Sequence, residues 1–168
     1  MTNLLQRLWW HLTLPAGWDT VDRTVSHPSL GALHYHGTRM RPNGSVHGGW
    51  KVTPPGFAQP IGLGFPTLGD EPTPAYLEQF EALLGDLDGL FERFRPDIAA
   101  EYLQWTDTPL PADWRSVLRL DSIELRPLGE DVEEDGEPWQ VSYWCERMQH
   151  WIVVHLDGDR LDYVAVDG

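Results

Sequence analysis

Apolar and polar residues alternate through residues 29–37, with Leu33 and Tyr35 on one side and His34 and His36 on the other. That is the period of a half-buried strand. In the segment 39–45 that follows, Pro42-Asn43-Gly44 combines a fixed φ with a residue free to take a positive one, so a turn is predicted. Residues 46–53 then return as an antiparallel strand until Pro54, Pro55 and Pro60 stop it, and residues 61–65 read as a short edge strand before Pro66.

Beyond residue 73 the period lengthens to that of a helix. Thr73 is placed to cap it and Pro74 occupies the first position, where a missing N–H costs nothing. Tyr76, Phe80, Leu83, Leu87, Leu90, Phe91 and Phe94 recur at spacings of three and four, with Glu78, Glu81, Asp86, Asp88 and Glu92 mostly off that stripe. Gly85 and Gly89, each worth about 1 kcal/mol against a helix interior, mark a break or a close approach. Pro96 reads as the opening of a second helix carrying Ile98, Tyr102 and Trp105, with Pro109 past its end. The predicted helices are therefore about 74–94 and 96–106.

Residues 109–114 form a linker and residues 122–126 a further strand. Residues 130–137 carry too many like charges to pack and are predicted as a solvated loop. Three strands close the chain, about 139–146, 151–156 and 159–166. Asp157-Gly158 between the last two favours a type I′ turn, which sets Val154 opposite Leu161, Ile152 opposite Tyr163 and Val153 opposite Asp162. The fold class is α+β: an antiparallel sheet from N- and C-terminal strands with two helices packed on it, in a single domain spanning 1–168. The first fifteen residues, where Leu4, Leu5, Leu8 and Leu12 recur at helical spacing but Gln6, Arg7 and His11 interrupt the apolar run, read as a short amphipathic helix rather than a signal peptide or membrane span.

Composition adds two points. Nine tryptophans are many for this size, and each can bury about 150–250 Å², so those in strands are expected in the core. Cys145 is the one cysteine, which excludes an internal disulfide, fits a reducing cytoplasm and suits a small buried hydrophobe.

Charge changes the picture more. The chain carries 26 Asp and Glu against 12 Lys and Arg, a formal net charge of −14. Residues 70–137 alone hold 19 acidic side chains against five arginines, and the remainder balances at seven of each. Such a chain repels phosphate backbones, and its largest basic cluster is Arg39 with Arg41, so nucleic-acid binding is disfavoured. With Arg7 the only base near the N-terminus, membrane adhesion has little electrostatic support. A basic protein is the natural complement.

Candidate chemistry is sparse. His34 and His36 sit on one strand face about 6.5–7 Å apart, and His47 lies across the hairpin. Two imidazoles with a third ligand can hold zinc or iron, but solvent-facing strand histidines give the same pattern without a metal. Cys145 with His150 or His155 has the residue types of a thiol nucleophile pair, and His155 beside Asp157 those of a general base, with no cleft implied around either. Asp86, Asp88 and Glu92 fall short of a calcium loop. Gly62-Leu63-Gly64 lacks the third glycine of a dinucleotide fingerprint, and there is neither a Gly-X-Ser-X-Gly elbow nor a His-Glu-X-X-His motif. No catalytic residue, resident metal or cofactor is predicted.

The stretches Trp139-Gln-Val-Ser-Tyr-Trp-Cys-Glu146, His150-Trp-Ile-Val-Val-His-Leu-Asp-Gly158 and Val164-Ala-Val-Asp-Gly168 are similar to the C-terminal strands of small bacterial domains of unknown function. Some of those occur as immunity-like proteins beside toxins or in contact-dependent competition loci. The resemblance implies an α+β fold ending in a β-meander and favours a binding protein, without supplying a functional residue. The leading reading is a non-catalytic, cytoplasmic, acidic protein that binds a basic protein partner. Its candidate contacts are Asp131, Glu133, Glu134 and Asp135 in the loop, with Glu78, Glu81 and Asp88 on the long helix. The alternative is an enzyme or a small-ligand or metal-binding protein with a pocket near His34, His36 and His47. A structural subunit or assembly factor of a phage or secretion system, which self-association through an exposed tryptophan face would mark, is a third.

Overall fold

The computed structural model describes residues 18–40, 46–64, 72–125 and 138–168. The N-terminal segment 1–15, the centre of the first predicted turn and the loop carrying Asp131, Glu133, Glu134 and Asp135 lie outside the described residues.

Eight strands form one sheet in sequence order: β1 (Trp18–His27), β2 (Gly31–Met40), β3 (Val46–Val52), β4 (Ile61–Gly64), β5 (Leu118–Glu124), β6 (Pro138–Cys145), β7 (His150–Asp157) and β8 (Arg160–Asp167). Between β4 and β5 lie the helices α1 (Pro74–Gly85) and α2 (Leu87–Thr106) and a single 3₁₀ turn, Trp114–Ser116. The α+β class follows, and the sheet is mixed: β4 and β5 pair parallel and the other neighbours antiparallel. A helical crossover brings the chain back to the end where β4 began, so the next strand must run the same way. The short strand expected at an edge is therefore central. Of the sheet's two edge strands, β1 and β8, β1 shows no apolar alternation: Asp22, Arg23 and Thr24 are exposed and only Val21 and Val25 pack against the core. A charged edge strand resists pairing with other chains.

The C-terminal hairpin differs in register from the expectation. Asp157 pairs with Arg160 and Leu156 with Leu161, but Val154 pairs with Val164 and Ile152 with Val166. The turn residues are Gly158 and Asp159, with φ +55° at Gly158, the position that type II′ rather than type I′ turns give to glycine. An irregularity between His155 and Leu156 and their partners leaves Asp162 unpaired. Leu161 and Val164 are three apart and cannot share a face of an unbroken strand; the bulge lets both pack against the core.

The helices divide at Asp86, not near Pro96. Thr73 caps α1, its hydroxyl accepting from the Tyr76 N–H at 3.5 Å. The Asp86 N–H donates to the Ala82 carbonyl at 3.2 Å, and the Asp86 carbonyl accepts from the Leu90 N–H at 2.9 Å, so one residue ends α1 and opens α2. Pro96 stands inside α2, where a missing N–H normally costs about 3 kcal/mol. The apolar face of α2 outweighs it, since Leu90, Phe91, Phe94, Ile98 and Tyr102 are all buried. Arg95 also ties the helix to the following linker by donating to the Pro111 and Ala112 carbonyls at 3.3 and 2.9 Å. Neither helix is long and apolar enough to cross a membrane, and no other described helix is.

One apolar core joins the two helices to the inner face of the sheet. Cys145 is fully buried in it. The strand tryptophans divide: Trp50 and Trp139 belong to the core, whereas Trp18, Trp144 and Trp151 are only half-buried. Tyr35 is also inside, tilted against Trp50 at 5.3 Å, yet its hydroxyl is buried with no hydrogen-bond partner among the described residues. Burial raises its pKa above the usual tyrosine value, and the Arg23 charge offsets part of that rise. An orphaned buried hydroxyl costs about 1–3 kcal/mol. Tyr35→Phe is therefore expected to stabilise the protein by about 1 kcal/mol, read as a higher urea midpoint at unchanged m; a lower midpoint would show that the hydroxyl is satisfied in solution.

Candidate functional site

α2 packs against β7 and β8 on the sheet face bearing Val141, Tyr143, Ile152 and Val154, all buried. The opposite face is built from the alternate positions. In register, Thr24, His34, Lys51, Gly62, Ser122, Ser142, Val153 and Ala165 form one row across all eight strands. From β4 onward the row is made of small side chains, apart from Val153. On one side of it stand Arg119, Trp144, Trp151 and Asp167, paired in that order, and on the other Glu124, Gln140, His155 and Tyr163. The small residues are thus the floor of a trench between two walls of large ones.

A pocket of about 180 Å³ occupies this trench, lined by residues of all three rows and by Asp121. Asp121 is the extra residue where β5 slips against β6 between Leu120 and Ser122. Bulges re-aim side chains, and here both Asp121 and Ser122 line the pocket. The Trp151 indole N–H donates to Asp121 Oδ2 at 3.0 Å, which fixes the ring, and Trp144 meets it edge-on at 4.8 Å. Opposite, His155 stacks on Tyr163 at 4.1 Å, and Tyr163 is one of three large hydrophobic side chains exposed to solvent among the described residues. Glu124 lies over Gly64, where an added Cβ would stand 2.8 Å from Glu124 Cγ.

Three carboxylates, Asp121, Glu124 and Asp167, converge on the pocket. Arg119 lies 3.4 Å from Asp121 Oδ1; among the described residues Glu124 and Asp167 enter no ion pair. Ser142, on the floor, is only 6% exposed, and no hydrogen bond to its hydroxyl forms among the described residues.

The helix layer is arranged differently. Of the helical acids singled out from sequence, Glu78 is exposed, Asp88 pairs with Arg115, and Glu81 turns one carboxylate oxygen inward, 3.4 Å from His27 Nδ1. Arg95 forks onto Glu92 at 2.6 and 2.7 Å, and this hydrogen bonding and charge hold the Glu92 carboxyl below the usual range. On this surface Asp88 and Glu92 are answered locally by arginines.

The histidines do not converge. His34 Nδ1 lies 3.2 Å from Thr24 Oγ1 and is paired in register with Lys51, while His36 Nδ1 lies 2.7 Å from Asp22 Oδ1. His47 is in register with Thr38, two positions along from Gly49, which pairs with His36; its side chain lies outside the described residues. No group of three His, Cys, Asp or Glu side chains able to hold a metal is found among the described residues.

Sequence reasoning passed over Asp121, Glu124, Trp151 and Asp167. A signal was present: Asp and Glu are poor strand formers, so carboxylates on the outward side of strands with apolar inner faces need a reason to be there. No protein-family model, curated protein or solved structure matches the chain.

Proposed function

We propose that this is a non-catalytic interaction protein that binds a basic protein partner through the open face of its sheet. The observation that carries the reading is that Asp121, Glu124 and Asp167 line one pocket together with Trp151. Carboxylates steer a cationic partner and set its orientation, and a fixed indole supplies the desolvated anchor that hot spots require. At about 180 Å³ the pocket is below the roughly 300–1,000 Å³ of small-molecule sites, which favours a protein surface over a substrate cleft. An immunity protein that occludes a basic toxin site works in this way, and the likeness of the C-terminal strands to immunity-like domains fits the same class.

The test is fluorescence anisotropy with a labelled dodecapeptide of alternating Arg-Gly-Lys-Gly. Asp121→Asn, Glu124→Gln and Asp167→Asn together should weaken binding at least tenfold. The charge-matched set Glu78→Gln, Asp97→Asn and Glu101→Gln, all on the helix layer, should weaken it less than threefold. Raising NaCl should weaken the wild-type complex as ions screen it. Equal losses from the two sets would mean that the peptide reads net charge alone, and the reading would fall.

A further inference from the structure

The trench has a shape and an acceptor pattern of its own. We infer that it receives one arginine side chain of the basic partner, with the guanidinium, rather than an ammonium, as the recognised group; this rests on the reading above and sharpens it.

The pocket's carboxylates stand on opposite walls, Asp121 and Asp167 beside Trp151, and Glu124 beside Gln140. The walls are separated by four residues along β6, β7 and β8 and by five along β5, where the bulge falls, roughly 13 Å between Cα rows at 3.3 Å per residue. A spherical ammonium can approach one wall or the other. A planar guanidinium with five N–H donors has edges facing both ways, so it can serve acceptors on two sides at once. The aromatic contribution points the same way. Trp151 is held by its bond to Asp121, and Arg stacks on indole faces more readily than Lys because it is more weakly hydrated.

Ser142 adds a polar group to the floor. It lines the pocket at 6% exposure, and its hydroxyl is not among the sealed, unpartnered side-chain atoms, so it opens onto the trench. A donor lying there would find a hydroxyl acceptor beside the carboxylates. The room is right as well: about 180 Å³ is close to six waters at their share of about 30 Å³ each, enough for the end of one long side chain and no more.

The probes are three blocked tripeptides, Gly-Arg-Gly, Gly-Lys-Gly and Gly-citrulline-Gly, titrated into the ¹⁵N-labelled protein while the Trp151 indole N–H resonance is followed. Gly-Arg-Gly should shift that resonance with saturable, millimolar binding. Gly-Lys-Gly should bind at least fivefold more weakly, and the neutral isostere citrulline should leave the resonance in place. Glu124→Gln with Asp167→Asn, both at exposed positions, should weaken Gly-Arg-Gly at least tenfold with the rest of the spectrum retained. If the Arg-Gly-Lys-Gly peptide depends on the open face but Lys and Arg tripeptides bind alike, the guanidinium assignment falls and the basic-partner reading stands. If the long peptide binds without regard to this face, both fall. A Gly-Arg-Gly shift confined to helix-layer resonances would overturn the site itself.

Discussion

Phe91→Ala is expected to remove about 3–5 kcal/mol of stability, the largest loss from any single truncation in the core. Phe91 is fully buried. It stacks on Trp114 at 4.1 Å with planes 10° apart, and meets Tyr143 edge-on at 5.4 Å and 87°. Trp114 in turn meets Tyr143 edge-on at 5.6 Å, so three rings from α2, the 3₁₀ turn and β6 close one triangle. Each such pair contributes about 0.5–1.5 kcal/mol beyond burial alone. Alanine would forfeit two of them and leave a cavity lined by stiff rings that cannot collapse into it. The Arg95 guanidinium, 5.4 Å from the Phe91 ring centre, would also lose that ring contact while keeping its fork onto Glu92. At about 2–4 °C per kcal/mol for a chain of this size, the midpoint of a thermal melt should fall by roughly 10–15 °C. Near-ultraviolet circular dichroism, which reports the fixed Trp114 ring, should collapse at the same lower temperature. Phe91→Leu, which keeps most of the volume, should cost about 1.5 kcal/mol or less. A loss below 1 kcal/mol for the alanine variant would mean that the triangle does not hold the helix layer to the sheet.

Two of those rings were within reach of the sequence, since Phe91 lay on the helical stripe and Tyr143 in a predicted strand, whereas Trp114 fell at the end of what read as a linker. The helices themselves were legible because Thr73, Pro74 and an apolar repeat at three and four agree locally. Their division was harder. Pro96 is the strongest local breaker in the segment, but it falls on the outer side of α2, where the burial of Phe94 and Ile98 around it decides the matter. Propensity yields to packing when the packing is that extensive. The β1 strand was illegible for the opposite reason. Its order comes from pairing with β2, and a polar edge strand leaves no periodic trace. The hairpin register failed on one residue: Asp157-Gly158 located the turn correctly to within a position, but a bulge opposite His155 is set by which of Leu161, Tyr163 and Val164 reach the core.

The site was the least legible part, and the cause is geometric. The excess negative charge of residues 70–137 drew attention to the helix and the acidic loop, because charge density along a chain is visible. The trench is assembled from Asp121 and Glu124 on β5, Trp151 on β7 and Asp167 on β8, positions up to 46 apart in number and joined by register alone. Two of its carboxylates, Asp121 and Glu124, sit inside the acidic segment, so the sequence located part of the charge without showing how the sheet gathers it. On the helix layer Arg115 and Arg95 answer Asp88 and Glu92, and counter-charges placed by folding cannot be counted from composition.

Gly48 and Gly49 carry the sharpest contrast in the molecule. They are neighbours on β3, both glycine and both in extended backbone, and alanine should have opposite effects at the two. Gly48 pairs with Gly37, and an added Cβ would stand 2.3 Å from the His36 carbonyl oxygen, 2.4 Å from Gly37 Cα and 2.8 Å from the Tyr35 hydroxyl. Two of those atoms are backbone, so no side-chain rotation relieves the clash; β2 and β3 must separate and lose ladder hydrogen bonds. Overpacking alone costs about 1–3 kcal/mol, and with the ladder disturbed Gly48→Ala should cost about 3 kcal/mol or more. At Gly49 nothing lies within 4 Å of the same atom. There alanine restricts the unfolded chain without straining the folded one, a gain of about 0.4–1 kcal/mol. Urea unfolding of the two variants side by side tests the close approach directly, because the residue change is identical and only the neighbour differs. Gly49 faces the open side of the sheet, paired with His36, so its variant should also bind the Arg-Gly-Lys-Gly peptide as the wild type does, the trench lying over β5 to β8. Equal stability of the two variants would place β2 and β3 further apart than described, and with them the buried hydroxyl of Tyr35 that the glycine pair encloses.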